Sequence, residues 1–291
     1  MGEHGVVYGA KALAVPLLSF QTRMELSHKP ILSHPEIPMD LLTPTFEKAL
    51  GFFPALPFKP FWNLQKSTLP LGAGLGSSAS FCVALLRALG QLTETLLPKE
   101  KLAYLANELE KDFHGRPSGL DTAVIAFEAP LVFCKETNPE PLMVRPIRDG
   151  KPWPFLLMDT KQRSSTKDMV ERAAPFFAKN RDKKIETFNT LTRLTQTYLE
   201  TGDLPGMANA MEEGWRLLKE VGVVTQSMEG VASLARKAGV LGVKPTGAGG
   251  GGCLLALLPP DRKTQVLSQL TETLGAGAFW EAPLPQTGYP L

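Results

Sequence analysis

The sequence predicts an α+β protein of two domains. Three observations carry that expectation. Strand-like and helix-like segments are mixed along the chain with short connections, as when helices pack on largely antiparallel sheets. Two glycine-rich runs, 72–76 and 247–252, each lead straight into an apolar element. A chain of 291 residues with 43% hydrophobic content can bury a sizeable core, and its length points to roughly two domains.

Residues 5–20 read as strand, glycine turn and strand, because β-branched and apolar residues surround Gly9. Residues 28–66 carry many prolines and aromatics without lasting periodicity, and predict only a short helix over 43–50. From 77 to 97 the chain is apolar almost all round, with Pro98 as terminator, which describes a helix buried on most sides. A second helix, 99–113, repeats Leu102, Leu105, Leu109 and Phe113 at helical spacing. Ala103, Ala106 and Glu110 share another of its faces, where two small residues admit a neighbour and the carboxylate ends the approach.

Segments 122–127 and 131–134 read as strands. The stretch 135–153 is rich in Pro, Lys and Glu, and the boundary is set there, giving domains 1–148 and 149–291. Beyond it the sequence predicts a strand at 155–158 and a helix opened by the capping box Ser165-Thr166-Lys167-Asp168. Helices follow at 183–200, 205–220 and 226–238, the last closed by Gly239. A short strand, the second glycine run, an apolar strand 253–258, a helix after Asp261 and a terminal strand near 278–282 complete the chain.

Composition narrows the function. Lys+Arg 31 against Asp+Glu 29 leaves a net charge of +2, without the like-charge block of a nucleic-acid or membrane surface. Any phosphate binding must be local. Cys82, Cys134 and Cys253 are widely spaced and lack CxxC spacing, as expected of reduced thiols in the cytoplasm. No apolar run approaches the ~20 residues of a membrane span. Met1-Gly2 would suit myristoylation, but Val6 stands where that motif wants Ser or Thr.

Four stretches could do chemistry. In the segment from Pro70 to Ser80, the alternate glycines Gly72, Gly74 and Gly76 stand directly before a long helix, followed by Ser77 and Ser78. Glycines let backbone amides approach an anion, and the helix N-terminus adds unpaired N–H groups and about half a positive charge. The plainer alternative is a glycine-rich helix start capped by Ser77. Residues 74–79 also fit a G-x-G-x-x-A dinucleotide fingerprint, but that motif wants a preceding strand and an acid at the end of the next one. Here 66–71 is a poor strand and the chain stays helical beyond. No Gly-Lys-Ser/Thr of a Walker A loop occurs.

In the second stretch, 110–121, a helix ends in a glycine and proline turn that fixes Asp121 at what reads as a strand start. Phosphoryl transfer to an alcohol wants such a carboxylate near the hydroxyl, and oxygen ligands for Mg²⁺. Asp121 and Glu110 can supply them; an Asx-turn aspartate and a solvated helix glutamate are the bland alternatives. The third stretch, Lys244-Pro245-Thr246-Gly247-Ala248-Gly249-Gly250-Gly251-Gly252-Cys253, implies close approach of backbone to a ligand or another chain segment. The fourth, Gly2-Glu3-His4-Gly5, sets an acid and an imidazole at the mouth of the first strand. His28 and His34 lack metal-ligand spacing and read as solvated.

Together these stretches resemble the GHMP small-molecule kinases, and within them the mevalonate kinases. The discriminating residues are Gly2-Glu3-His4 before Val6-Val7-Tyr8-Gly9, and above all His114-Gly115-x-Pro117-Ser118-Gly119-x-Asp121. The resemblance implies a two-domain fold, a ribosomal S5 domain 2-like N-terminal domain and a ferredoxin-like C-terminal one, with ATP and substrate between them. It further implies that Gly72, Gly74, Gly76 and Ser77, with Gly247, Ala248 and Gly249, border the nucleotide. Ser78 and Glu110 would hold Mg²⁺, Asp121 would accept the proton of the C5 hydroxyl of mevalonate, and Glu3, His4 and Thr166 would line the substrate site. Mevalonate and ATP are then the partners, with no nucleic acid or membrane, and with room for a homodimer. Two departures stand out. The family's Ala-Pro-Gly-Lys lies ahead of its Gly-Glu-His, where this sequence has only Met1, so either the true start lies upstream, or the protein is impaired, or another cation such as Lys161 or Arg163 takes over. Arg163 also lies three residues before Thr166 instead of two. The rival readings are another GHMP kinase, such as a phosphomevalonate kinase or mevalonate 3-kinase, and a catalytically impaired relative that binds nucleotide or metabolite.

Overall fold

The structure, a computed structural model, describes residues 1–27, 39–67, 72–114, 117–134, 138–144 and 151–285. In chain order its elements are a 3₁₀ turn Gly5–Tyr8, β1 (Ala12–Ala14), β2 (Thr22–Ser27), α1 (Met39–Leu50), β3 (Phe61–Ser67), α2 (Ser77–Leu92), α3 (Lys99–His114), α4 (Leu120–Phe127), β4 (Leu131–Cys134) and β5 (Asn138–Met143). There follow β6 (Phe155–Asp159), α5 (Thr166–Ala178), α6 (Arg181–Thr201), α7 (Leu204–Val221), α8 (Gln226–Ala238), β7 (Gly242–Pro245), β8 (Cys253–Leu257), α9 (Lys263–Leu274) and β9 (Phe279–Glu281). Helices and sheets are thus mixed, and every described strand pairing is antiparallel, as expected of an α+β protein.

The chain forms two compact units that interleave along the sequence. The first comprises Met1–Leu18, Leu71–Leu75 and Ala129–Leu291; the second comprises Ser19–Pro70 and Gly76–Glu128. In the first unit, one sheet has the order β1-β4-β5 and another the order β7-β8-β6-β9. The inner strands β6 and β8 carry Leu156, Met158, Leu254 and Ala256 into a core shared with Met228, Ala232 and Ala235 of α8 and Leu270 of α9. The helices are stopped and started by local chemistry. Asp203 accepts the Gly206 N–H at 2.9 Å to open α7, Thr225 accepts that of Met228 to open α8, and Gly239 closes α8 at φ 93°. Ser165 accepts the Asp168 N–H at 3.5 Å, so the capping serine does open α5.

In the second unit β2 and β3 form a two-stranded sheet that packs through β2 on α2, which in turn packs against α1, α3 and α4. Helix α2 buries Phe81, Cys82, Val83, Leu85, Leu86 and Leu89, so it is enclosed on most sides as its composition predicts. Helix α3 buries Leu102, Leu105, Ala106 and Leu109 together with Glu110.

Four local expectations are corrected. Residues 122–127 are not a strand but most of α4. Gly119 takes the left-handed conformation (φ 88°) ahead of the helix, Ser118 Oγ accepts the Leu120 N–H at 3.2 Å, and a short run buried on most sides shows no period that tells strand from helix. Residues 5–8 form a 3₁₀ turn and not a strand. Gly5 lies so close to Phe188 of α6 that a Cβ there would stand 2.8 Å from its ring, which the packed turn requires. Helix α2 ends at Leu92, five residues early, where Thr95 N–H turns back to the Gly90 carbonyl at 2.8 Å. Strands β2 and β3 lie where no strand was expected. Pro70, Leu71, Gly115, Arg116, His28 and His34 lie outside the described residues.

Candidate active site

In the second unit, three polar side chains converge. Ser78 stands in the first turn of α2, while Glu110 and His114, four residues apart on α3, share a face. Ser78 Oγ donates to Glu110 Oε1 at 2.6 Å and lies 2.9 Å from His114 Nε2. A serine has one proton to give. When that proton points to Glu110, the imidazole must carry the hydrogen in its own contact with Oγ. His114 suits this neutral role, since burial lowers its pKa.

Glu110 is 4% exposed. Burial pushes its carboxyl up to about 7, the Asp121 carboxylate adds to the rise, and the Ser78 hydrogen bond only partly offsets both. Asp121 itself sits in the first turn of α4 and is exposed. Gly76, in the left-handed conformation at φ 70°, immediately precedes α2, and a Cβ there would meet Asp121 Cβ at 3.5 Å. The start of α2 and the start of α4 are therefore in contact. Gly76, not Ser77, holds the capping position, and it has no side chain to occupy the amides of the first turn.

This donor set suits a hard divalent cation. A hydroxyl and a buried carboxylate starved of positive charge are the kind of oxygens that Mg²⁺ takes, usually with water and phosphate completing its shell. Among the described residues no group of three or more His, Cys, Asp or Glu side chains is arranged to hold a metal by itself.

The first unit holds Gly72 and Gly74 of the first glycine run, the whole of the second run, and the Glu3-His4 pair. The Cys253 N–H donates to the Ala73 carbonyl at 2.9 Å, tying the strand after one run to the other run. At Gly247 (φ 59°) a Cβ would lie 2.7 Å from the Gly74 carbonyl oxygen, and at Gly252 (φ 74°) 2.6 Å from that of Ala73. Only glycine fits both the sign of φ and the space. The close approach expected of this run is made, at these positions, to another chain segment. Ser164 adds a bond from its Oγ to the Gly249 carbonyl at 2.6 Å. Thr166, the first residue of α5, is exposed.

His4 is 5% exposed and its Nε2 bonds the Ala248 carbonyl at 2.7 Å. Its backbone lies at φ 61°, ψ −48°, with the Gly5 N–H donating to the Glu3 carbonyl at 2.7 Å. That is the rare, strained γ-turn, in which a residue other than glycine persists only where its surroundings fix it. Burial would raise the Glu3 carboxyl, but Lys244 and the Met1 amino group outweigh it and hold it at about 2. Lys161 and Arg163 both turn to Asp159. Arg163 grips it with two bonds, 2.7 and 2.9 Å, and thereby lowers its pKa, while Lys161 Nζ lies 3.5 Å away. The Arg163 stem runs beside Gly72, where a Cβ would stand 3.4 Å from its Cδ.

Lys244, Ser164 and Asp159 have no role in the motif reading, although each braces a motif residue or its neighbour. One signal was available: Lys244 is a lone lysine in a short apolar strand, and a buried ammonium calls for a carboxylate.

Comparison with known proteins agrees with these motifs. Residues 45–129 match the GHMP kinases N terminal domain and residues 195–276 the GHMP kinases C terminal domain, together more than half of the chain. A mevalonate kinase of Gibberella zeae is 32% identical over 266 residues, which take in 78% of this chain and 52% of that protein. A mevalonate kinase of Pyrococcus abyssi is 31% identical over 200 residues, covering 66% and 58%. The chain spans about half the length of such relatives. A crystal structure of L. major mevalonate kinase in complex with R-mevalonate superposes with a TM-score of 0.80 at 23% identity, covering 99% of this chain and 94% of that one. A Lactococcus lactis galactokinase complexed with galactose gives 0.76 at 19%, covering 98% and 90%. At these identities the superpositions establish the fold.

Proposed function

The chain belongs to the GHMP kinases, and from that premise we propose that it transfers the γ-phosphoryl group of ATP to the C5 hydroxyl of (R)-mevalonate, giving 5-phosphomevalonate and ADP. One observation carries this reading: Ser78 and Glu110 meet at 2.6 Å in the first turn of α2, whose capping Gly76 abuts Asp121. Metal ligands and a base would thus stand around one helix start. The mevalonate kinases among the relatives favour mevalonate as the alcohol.

In this mechanism Ser78 Oγ and the Glu110 carboxylate would hold Mg²⁺, which when bound would neutralise phosphate charge. For Ser78 to turn a lone pair to a cation, its proton must rest on an acceptor, and His114 Nε2 is within reach at 2.9 Å. The amides of Gly72, Gly74, Gly76 and Ser77 receive the phosphates, and Gly247, Ala248 and Gly249 border them. Asp121 takes the hydroxyl proton as the oxygen attacks the γ-phosphorus and the bond to ADP breaks. Glu3, His4 and Thr166 line the alcohol. Asp159 neutralises Lys161 and Arg163, which favours neither as the cation that steadies the attacking oxygen. The same reading assigns the protein to the cytoplasm, allows a homodimer, and keeps 1–148 and 149–291 as its two domains.

A coupled ADP-release assay over mevalonate, phosphomevalonate, galactose and homoserine tests the proposal. Mg²⁺-dependent turnover with mevalonate is expected. Turnover confined to another alcohol would overturn the substrate, and nucleotide binding without turnover, indifferent to Asp121→Ala, would favour a non-catalytic relative.

A further inference from the structure

Lys244 is a buried charge to which the proposed mechanism gives no task. It lies on β7, 4% exposed, next to Val243, which faces the core of α8, β6 and β8. Strand alternation turns Lys244 the other way. Its stem passes Gly214 of α7, where a Cβ would stand 3.6 Å from Lys244 Cε, and its ammonium donates to the Glu3 carboxylate and to the Pro245 carbonyl. Four residues further on, the Ala248 carbonyl meets His4 Nε2 at 2.7 Å. The short stretch 244–248 thus grips two successive residues, 3 and 4, the second of which is the centre of the strained γ-turn.

We infer that Lys244 is a positioning residue: by holding Glu3 it fixes the γ-turn at His4 and keeps the imidazole on the glycine loop. An ammonium is not needed merely to fill the space. Apolar residues of similar volume often replace both members of a buried ion pair without loss of stability, and in some proteins such a pair is kept for the geometry it fixes. The consequence for catalysis rests on the proposed function, in which Glu3 and His4 face the alcohol. Lys244 would act through them, on alcohol binding and not on nucleotide binding.

Lys244→Met keeps the stem and removes the charge. The imidazole ¹⁵N spectrum, with His4 assigned by its loss in His4→Gln, reads the bond to Ala248 directly. The His4 resonance is expected to move in Lys244→Met while that of His114 stays. The KM for mevalonate should rise about tenfold or more, with the KM for ATP within about twofold. An unmoved His4 resonance overturns the inference. So does a parallel change in both KM values and kcat together with a fallen melting temperature, which marks a merely structural residue. Should Lys244→Met not fold, Glu3→Gln is read by the His4 resonance alone: a shift supports the inference and an unmoved resonance overturns it. If the wild-type protein does not turn over mevalonate, the proposed function falls, and the His4 resonance still decides on Lys244.

Discussion

Glu3 and Glu110 are the same residue type, both withdrawn from water, and their surroundings drive them in opposite directions. Glu3 is held at about 2 and Glu110 is pushed up to about 7. Around Glu3 the chain supplies its own counter-charge, Lys244, and locks the neighbourhood with the His4–Ala248 bond and backbones that touch through glycine. Around Glu110 it supplies a hydroxyl, a neutral imidazole and a second carboxylate, with no ammonium or guanidinium among the causes of its shift. One region has balanced its charge within itself. The other is left short of positive charge, and that deficit is what an incoming cation would correct.

Substitutions can break this contrast or sharpen it. The largest effect is expected from Asp121→Asn, the proposed base: kcat should fall by about 10³-fold, with the melting temperature nearly unchanged because the side chain is exposed. Steady-state kinetics beside a thermal scan would check both. Glu110→Gln should lower kcat/KM by about 10²-fold and raise the Mg²⁺ concentration needed for half-maximal rate, yet leave stability at pH 8 equal or higher, because an amide carries no charge to desolvate. A Mg²⁺ titration with urea unfolding distinguishes this from a simple folding defect.

Glu3→Gln should do the reverse and cost stability. Its folded pKa is depressed from 4.5 to about 2, so its contribution is fully present above pH 4.5 and is lost as pH falls toward 2. The shift corresponds to about 3 kcal/mol. Urea melts of wild type and variant should differ by that order at pH 7 and converge near pH 2; a constant difference would mean that the pair is not the source. The smallest effect belongs to Ser165→Ala, away from both glutamates. Loss of its long capping bond to Asp168 should cost about 0.5–1 kcal/mol by the same measurement.

What the sequence discloses follows from the range over which each feature is determined. Helices α7 and α8 are legible because a repeating apolar face, a capping side chain and a closing glycine all lie within one short window, and α3 because of its leucine repeat. The pairing of Ser78 with Glu110 comes through the family resemblance alone, since nothing within either helix says that the two meet. Helix α4 is misread because Leu120–Phe127 is apolar on nearly every side and shows no period. Strands β2 and β3 are missed because their partners, not their own pattern, make them strands. Nor can a window hold the grip of Lys244 on Glu3, since 241 residues separate the two. Only the buried lysine itself hints at an absent partner.

That separation has a bearing on how the protein is made. The Glu3–Lys244 pair and the His4–Ala248 bond join segments more than 240 residues apart, so neither can form until the ribosome has released the whole stretch between them. Contacts this distant close slowly, since the loop between them must first give up its freedom. Local helices can form early, but the turn at His4 has to wait for β7 and the glycine loop that follows it. A nascent chain arrested before residue 244 would carry Glu3 without its lysine, and so lack this part of the fold however well its helices had formed.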